Sequence, residues 1–253
     1  MCLGLVAALA QPGPGRHGMG GMGGPPSPRL DGSMAKLFGE NTAFSATLEF
    51  QTTGAAPEQS MTMPGKIYFD EGKSRFEMDM SQMKGGHMSP QAAAQMKSMG
   101  MDKMINITRP DKKVHYLVYD GLQSYLENPL GEPGATATGG NDAKVETTEL
   151  GKETIDGHPC VKNKVVVTDK DGKKFEATVW NATDLKKFPV KVEFTTEQGA
   201  TTSMLYKDIS LSKPDASLFE PPANFTKSEN MMEMMMKHGG MGGGFPGRPP
   251  RQQ

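Results

Sequence analysis

Apolar and polar residues alternate one by one through the middle of the chain. The peptide FSATLEF at 44–50 places its apolar residues on one face of an extended strand: Phe44, Ala46, Leu48 and Phe50. The peptide KSRFEMDM at 73–80 alternates in the same way, with apolar residues between charged ones: Phe76, Met78 and Met80. Because successive side chains of a strand point to opposite faces, this period of two predicts a sheet with one apolar face.

Three pairs of such segments are joined by short turns. Asp120-Gly121 divides 113–128 into two strands, and a turn at 170–172 divides 163–180. A third turn near Gln198-Gly199 divides 188–209. Asp-Gly and other glycine-containing turns between alternating segments are typical of β-hairpins. The sequence therefore predicts a mainly β fold with minor α, a long antiparallel meander in a single domain over 41–226.

The two ends of the chain differ from this middle in composition. An apolar run in 1–10 ends with Ala8-Leu9-Ala10, the pattern of small residues that precedes cleavage of a secretory signal. We interpret 1–10 as a signal-peptide remnant, which predicts an exported protein of the periplasm or cell envelope. Residues 11–40 and 227–253 are rich in Gly, Pro and Met, and we expect them to be disordered because they bury little apolar surface.

Charge and hydropathy argue against two kinds of partner. The formal net charge of −1 at pH 7 provides no strongly basic face of the kind that nucleic-acid binding requires. No apolar run approaches the roughly 18 residues of a membrane span. We therefore expect a protein that neither binds nucleic acid nor spans a membrane.

One internal segment has the signals of a helix. SPQAAAQMKSMG at 89–100 begins with Ser89 as a cap and Pro90 in the first turn, and it ends at Gly100. An apolar stripe runs along it at i, i+4 and i+7: Ala92, Met96 and Met99. This helix is the candidate lid for the apolar face of the sheet.

Methionine is concentrated in the first half of the predicted domain. Ten of the 21 methionines lie in 60–104, whereas 105–225 contains only Met204. Adaptable thioether side chains favour a surface that binds varied apolar ligands, which predicts a lining of Met61, Met63, Phe76, Met78, Met80, Met96 and Met99. A second interpretation is a Cu(I) site, because thioether and imidazole donors suit that ion, with His87, Met83 and Met88 as ligands. A third is simple filling of an irregular core.

Several short motifs of the second half resemble a known group of proteins. They are G-x-x-C at Gly157–Cys160, Val179-Trp180 at a strand end, PVKVE at Pro189–Glu193 and LFEPP at Leu218–Pro222. In this order they resemble the LolA/LolB-like periplasmic carriers of outer-membrane lipoproteins, and most of all a branch of unknown function. The resemblance implies a strongly curved antiparallel half-barrel with a helical lid, whose concave apolar face receives acyl chains.

The functional hypotheses follow from these observations. The sequence contains no nucleophile elbow, zinc-protease helix, phosphate loop or dinucleotide fingerprint, so we expect no enzyme and no cofactor. The leading hypothesis is an exported protein that binds a hydrophobic ligand, a lipid or a lipoprotein acyl chain, on its concave face. The alternatives are a periplasmic copper-binding protein and a cell-envelope interaction module with an envelope protein partner.

Overall fold

The computed structural model describes residues 32–54, 60–86, 89–130, 143–168, 172, 174–196 and 199–238. Within these ranges thirteen strands form one sheet. They are β1 Ala43–Thr53, β2 Met61–Asp70, β3 Lys73–Asp79, β4 Lys84–Gly85, β5 Lys103–Arg109, β6 Val114–Tyr119, β7 Ser124–Pro129, β8 Lys144–Ile155, β9 His158–Thr168, β10 Lys174–Ala182, β11 Pro189–Thr195, β12 Thr201–Ser210 and β13 Thr226–Ser228. The helices are α1 Gly32–Lys36, α2 Pro90–Ser98 and α3 Met231–Lys237, with 3-10 turns at Met80–Gln82, Asp120–Leu122 and Ala216–Phe219.

The order of the strands across the sheet is β13-β7-β6-β5-β3-β2-β1-β12-β11-β10-β9-β8, with β4 beside β2. Neighbouring strands are antiparallel except β13 and β7, which are parallel. The three predicted hairpins are present as β6–β7, β9–β10 and β11–β12, although residues 170–171 and 198 of their turns lie outside the described residues. The predicted fold class, mainly β with minor α in one curved antiparallel sheet, is confirmed.

Two runs of sequential strands meet at the centre of the sheet. β1 pairs with β12, so that Leu48 lies opposite Tyr206 and Phe50 opposite Met204. The register of this pair shifts between Ser45 and Thr47, as expected of a β-bulge that increases the local bend of a strand. The apolar side chains of both runs therefore face the same interior, which we call the inner face.

The segments adjoining the predicted domain also contribute to the core. Residues 32–40 form α1 and the turn that follows it, and residues 226–238 form β13 and α3. Their apolar side chains are buried in the main core: Met34, Leu37, Phe38 and Met234. The folded unit thus extends on both sides of 41–226, because these few closely spaced apolar residues cover the inner face. The signal-like residues 1–10 and the tail 239–253 lie outside the described residues.

Aromatic side chains fill one end of the inner face. Phe38, in the turn after α1, stacks on Phe44 with ring centroids 4.6 Å apart, and its edge meets Phe188 at 5.4 Å and Tyr206 at 5.6 Å. Phe69 of β2 lies 5.4 Å from Phe44. We call this cluster of five rings the aromatic end. Its rings are buried and pack closely against one another.

The outer face of β5–β7 carries a second apolar cluster. Ile107, Tyr116 and Val118 are buried there together with Phe219. Phe219 belongs to residues 211–228, which cross this face and which we call the C-terminal strap. The expectation that only one face of the sheet is apolar is therefore wrong for these strands, since the strap covers their outer side.

Two arginines fasten the C-terminal strap to the sheet. Arg75 Nη1 donates to the Leu218 carbonyl at 3.0 Å, and Arg109 Nη1 donates to the Phe219 carbonyl at 3.2 Å. Arg109 also forms ion pairs with Asp111 and Glu220. The hydrogen bond to Asp111, followed by that to Glu220, raises the pKa of Arg109, and the same arginine lowers the pKa of Asp111 to about 2. The strap is thus held by charge-assisted hydrogen bonds in addition to apolar packing.

Candidate hydrophobic ligand site

Strand pairing arranges the inner-face side chains in rows that run across the sheet. Met78 of β3 lies opposite Gly65 of β2 on one side and Met104 of β5 on the other. One row further out, Met63 of β2 lies opposite Phe50 of β1. We call this region the methionine end of the inner face and define it by its buried members: Met63, Met78, Met80 and Met104.

The structure places the seven predicted lining residues in this region and beside it. Four are buried in the main core: Met63, Phe76, Met78 and Met80. Two are half-buried and pack against that core: Met61 and Met96. The seventh, Met99, is half-buried at the end of α2 and lines a surface cleft. Whether these residues contact a ligand stays a prediction.

The 3-10 turn after β3 connects the methionine end to α2. The N–H of Met80 donates to the Asp102 carbonyl at 2.7 Å, which joins the turn to the chain just before β5. Asp79 caps the turn, since its Oδ1 accepts from the Ser81 N–H at 2.9 Å. The turn that carries Met80 is thereby held against the chain that connects α2 to β5.

The helix α2 has the predicted start but only a loose attachment. Ser89 Oγ accepts from the Ala92 N–H at 3.1 Å, and Pro90 is the first helical residue. None of the helix residues is buried. Ala92, expected on the packed side, is exposed, whereas Ala93 and Met96 are half-buried. A helix held by so little apolar contact opens at a low free-energy cost.

The end of α2 rests on the β6–β7 turn through two glycines. A Cβ on Gly121 would lie 2.6 Å from the Gly100 carbonyl oxygen, and a Cβ on Gly100 would lie 2.9 Å from the Gly121 backbone. Gly100 also has a φ of +69°, a conformation that side chains other than hydrogen disfavour. This backbone-to-backbone contact fixes where the end of α2 sits, and both glycines are required for it.

A surface cleft of about 860 Å³ separates α2 from α3. Among its lining residues are three methionines and a histidine: Met99, Met101, Met235 and His238. The Nε2 of His238 lies 2.9 Å from Ser124 Oγ. The cleft lies beside the methionine end, since Asp79 and Lys103 are also among its lining residues. Of the two helices next to it, α3 is rich in methionine, whereas α2 contains only Met96.

Among the described residues, the buried side chains of the inner face are uncharged. Burial raises the pKa of Tyr119, opposite Met104, to about 12, so its phenol stays neutral at physiological pH. The buried polar residues that share this face carry no charge either, among them Asn106, Ser124 and Thr202. A site of this kind suits an apolar or neutral group better than an ion, because burying an unpaired charge is costly.

Sequence analysis did not identify Asn106 as a site residue. It lies on β5 two residues after Met104, on the inner face, opposite Phe76 of β3. The signal was available in the alternation of β5, because a polar residue at an inward position of a strand is unusual and requires a partner. Its environment is treated below.

The residues of the copper hypothesis are only partly described. Met83 is half-buried against the main core, whereas His87 and Met88 lie outside the described residues. Within the part of the chain that the structure describes, no group of three or more His, Cys, Asp or Glu side chains is arranged to hold a metal ion. The Cu(I) hypothesis stays a prediction.

Comparison with solved structures returned several similar chains. LppX, a lipoprotein from Mycobacterium tuberculosis, is 12% identical with a TM-score of 0.40 over 69% of this chain and 92% of LppX. MucB of Pseudomonas aeruginosa, in complex with MucA, is 11% identical with a TM-score of 0.37 over 76% and 60%. A LolA superfamily protein from Nitrosomonas europaea is 9% identical with a TM-score of 0.34 over 73% and 93%.

The chain covers only part of some of these neighbours. The chain spans about three fifths of the length of MucB. The LolA superfamily is among its structural neighbours, as the sequence resemblance indicated. Among the described helices, none has the length and apolar content needed to cross a membrane.

Sequence comparison gives the family of the chain. No curated protein matches it. Residues 44–188 match a family described as a domain of unknown function, DUF4412. The match runs from β1 through the strands of the methionine end and on to Phe188 of the aromatic end, and it covers more than half of the chain. The chain therefore belongs to the DUF4412 family.

Proposed function

We propose that this protein is an exported, non-enzymatic binding protein for a hydrophobic ligand, a lipid or the acyl chain of a lipoprotein. The ligand occupies the methionine end of the inner face, beneath α2. The observation that supports this most directly is the pairing of a methionine-lined core with a covering helix that has no buried residue of its own. The proposal of export rests on the apolar run in residues 1–10.

The two ends of the inner face differ in how they respond to a guest molecule. Rings packed as closely as those of the aromatic end leave no room and move as a unit. Thioether side chains are unbranched and flexible, so the methionine end repacks around an inserted chain at little cost. Each apolar side chain buried against a ligand contributes about 1.5–3 kcal/mol, which favours holding an acyl chain without selecting its identity.

A direct test is native mass spectrometry of protein purified from its own host, followed by extraction of bound lipid. We expect adducts with the mass of acyl-chain compounds, because the flexible methionine side chains can repack around a bound hydrocarbon chain. In parallel, the uncharged fluorescent probe 1-N-phenylnaphthylamine is expected to bind the purified chain and to be displaced by the extract. Protein that yields no adduct and does not bind the probe would contradict the proposal.

The lid provides a matched pair of variants for the same assay. Gly121→Ala places a methyl group against the Gly100 carbonyl, and α2 is the partner that moves because it is held so loosely. We expect faster uptake of the probe than in the wild type. Gln95→Ala, on an exposed position of the same helix, is the control and should leave the rate unchanged. Equal rates in all three proteins would mean that α2 does not control access.

A second candidate function, Cu(I) binding, is favoured by the cleft between α2 and α3. Its lining includes Met99, Met101, Met235 and His238, which are donor types that Cu(I) prefers. Titration of Cu(I) against a competing chelator is expected to show tight binding by the full chain and its loss in Met99→Leu/Met235→Leu. Failure of the full chain to compete would end this candidate. A shortened chain of residues 41–226 would not serve as a control for this titration, because it lacks the buried residues of α1 and α3.

The third hypothesis, an envelope interaction module, has its candidate surface at β8. This strand pairs only with β9 among the described strands, and its other edge is free. Most of its residues are exposed, including Val145 and Leu150. An exposed edge of this kind accepts an extended segment of a partner. An envelope protein partner stays a prediction.

A further inference from the structure

The amide of Asn106 has one atom without a partner. The residue is only 9% exposed, and its Oδ1 lies 3.2 Å from His115 Nε2. Its Nδ2 is buried and has no hydrogen-bond partner among the residues that the structure describes. An unsatisfied buried donor is rare in native proteins, and each one requires an explanation. Since the contact with His115 orients the amide, Nδ2 is directed away from the histidine.

Asn106 stands at the boundary between the apolar and polar parts of the inner face. Across the sheet, Asn106 lies between Phe76 of β3 and Leu117 of β6. The row towards the methionine end contains Met104. In the opposite direction along β5, the next residue on this face is Thr108. It lies opposite His115 of β6, which lies opposite Asn128 of β7. Leu117 and His115 are half-buried and Asn128 is exposed, so the face becomes both more polar and more open there.

This arrangement corresponds to the two parts of an amphiphile. A hydrocarbon chain directed towards Met104 and Met78 meets only apolar or neutral side chains. Its other end reaches Asn106, where a buried N–H donor lacks an acceptor. An ester carbonyl oxygen accepts a hydrogen bond without carrying a charge, whereas a carboxylate can do so here only if its second oxygen stays in contact with water. In both cases one oxygen would satisfy Nδ2 while the polar remainder lies near the exposed Asn128.

We propose that Asn106 is the head-group contact of the hydrophobic ligand, and that the ligand is an acyl compound with a carboxyl or ester group at one end. This inference rests on the proposed function and specifies its ligand class. It assigns the acyl tail to the methionine end and the carbonyl oxygen to Asn106 Nδ2.

The test measures displacement of 1-N-phenylnaphthylamine by lauric acid, methyl laurate and dodecane, which share a twelve-carbon chain and differ at its end. The wild-type chain is expected to bind the acid and the ester at least about tenfold more tightly than the alkane, which corresponds to about 1.4 kcal/mol. In Asn106→Leu that preference is expected to disappear while binding of dodecane persists. The melting temperature of this variant should fall less than that of a variant at a fully bonded buried asparagine, because the substitution removes an unpaired donor together with only one contact, that to His115.

Asn163→Leu is the matched control. Asn163 is also a buried asparagine, but its Nδ2 donates to Asn181 Oδ1 at 2.9 Å and to the Val161 carbonyl at 3.3 Å. We expect this variant to melt at a lower temperature and to keep the wild-type preference for acid and ester.

The outcomes separate this inference from the proposed function. If dodecane binds the wild type as tightly as methyl laurate, the head-group role is wrong and the hydrophobic site stands. If Asn106→Leu lowers the melting temperature as much as Asn163→Leu does and keeps the preference, Asn106 is structural. If the probe and all three compounds fail to bind, the proposed function itself fails.

Discussion

Phe38→Ala is expected to lower the free energy of unfolding by about 3–5 kcal/mol, the range for truncating a buried phenylalanine. Phe38 is 1% exposed and contacts four other rings of the aromatic end. It comes from a segment outside the main sheet, so the loss also weakens the docking of α1. Denaturation by urea, monitored by circular dichroism, measures the change.

Met232→Ala is the control for this prediction. Met232 lies on α3 and is 57% exposed, so removing its side chain should change stability by less than about 0.5 kcal/mol. A loss for Phe38→Ala as small as that of the control would show that α1 and its turn do not close the core. Such a result would restrict the folded unit to the predicted 41–226.

Phe219→Ala is expected to have a similar effect at the opposite surface, about 3–5 kcal/mol. Phe219 is fully buried against the outer face of β5–β7, and Lys73 Nζ lies 5.6 Å from its ring centroid. Truncation creates a cavity under the C-terminal strap and loosens the strap itself. Thermal unfolding measures the first effect, and limited proteolysis within 211–228 measures the second.

Glu220→Gln tests the polar side of the same attachment. Glu220 pairs with Arg109 and Lys112 but is 38% exposed, and exposed ion pairs contribute about 0–1 kcal/mol. We expect a small loss of stability and little new proteolysis. If Phe219→Ala and Glu220→Gln prove equally mild, apolar packing is not what holds the strap.

Strands and hairpins were predictable because alternation is a local property of the sequence. The side chains of FSATLEF at 44–50 point alternately inwards and outwards in β1. The segment around Asp120-Gly121 forms the β6–β7 hairpin. The turn itself is longer than a two-residue loop, with a 3-10 turn at Asp120–Leu122 and Gln123 in the left-handed region. Composition is a weaker guide. Residues 32–40 and 226–238 adjoin segments rich in Gly, Pro and Met, and only contact with the distant sheet decides that they fold.

The outer apolar cluster and the candidate site show the same limit. The run from Met104 to Ile107 has apolar residues on both faces of β5, which is the pattern of a strand covered on two sides. Sequence alone does not specify that the C-terminal strap supplies the second cover. Likewise, alternation predicts that Met78 and Asn106 point inwards, but whether the Asn106 amide has found all of its partners depends on residues brought together only by the fold.

The pairing of β1 with β12 also bears on how the chain acquires its structure. These strands lie side by side at the centre of the sheet, yet they come from opposite ends of the described chain, as the pairing of Thr47 with Lys207 shows. Contacts between residues so distant in sequence form slowly, because a large loop must close first. During synthesis the edge of β1 that will pair with β12 stays unpaired until β12 has been made. For that interval the unpaired edge of β1 and the uncovered apolar side chains beside it are both open to association with another copy, so a chaperone would have to shield the two together.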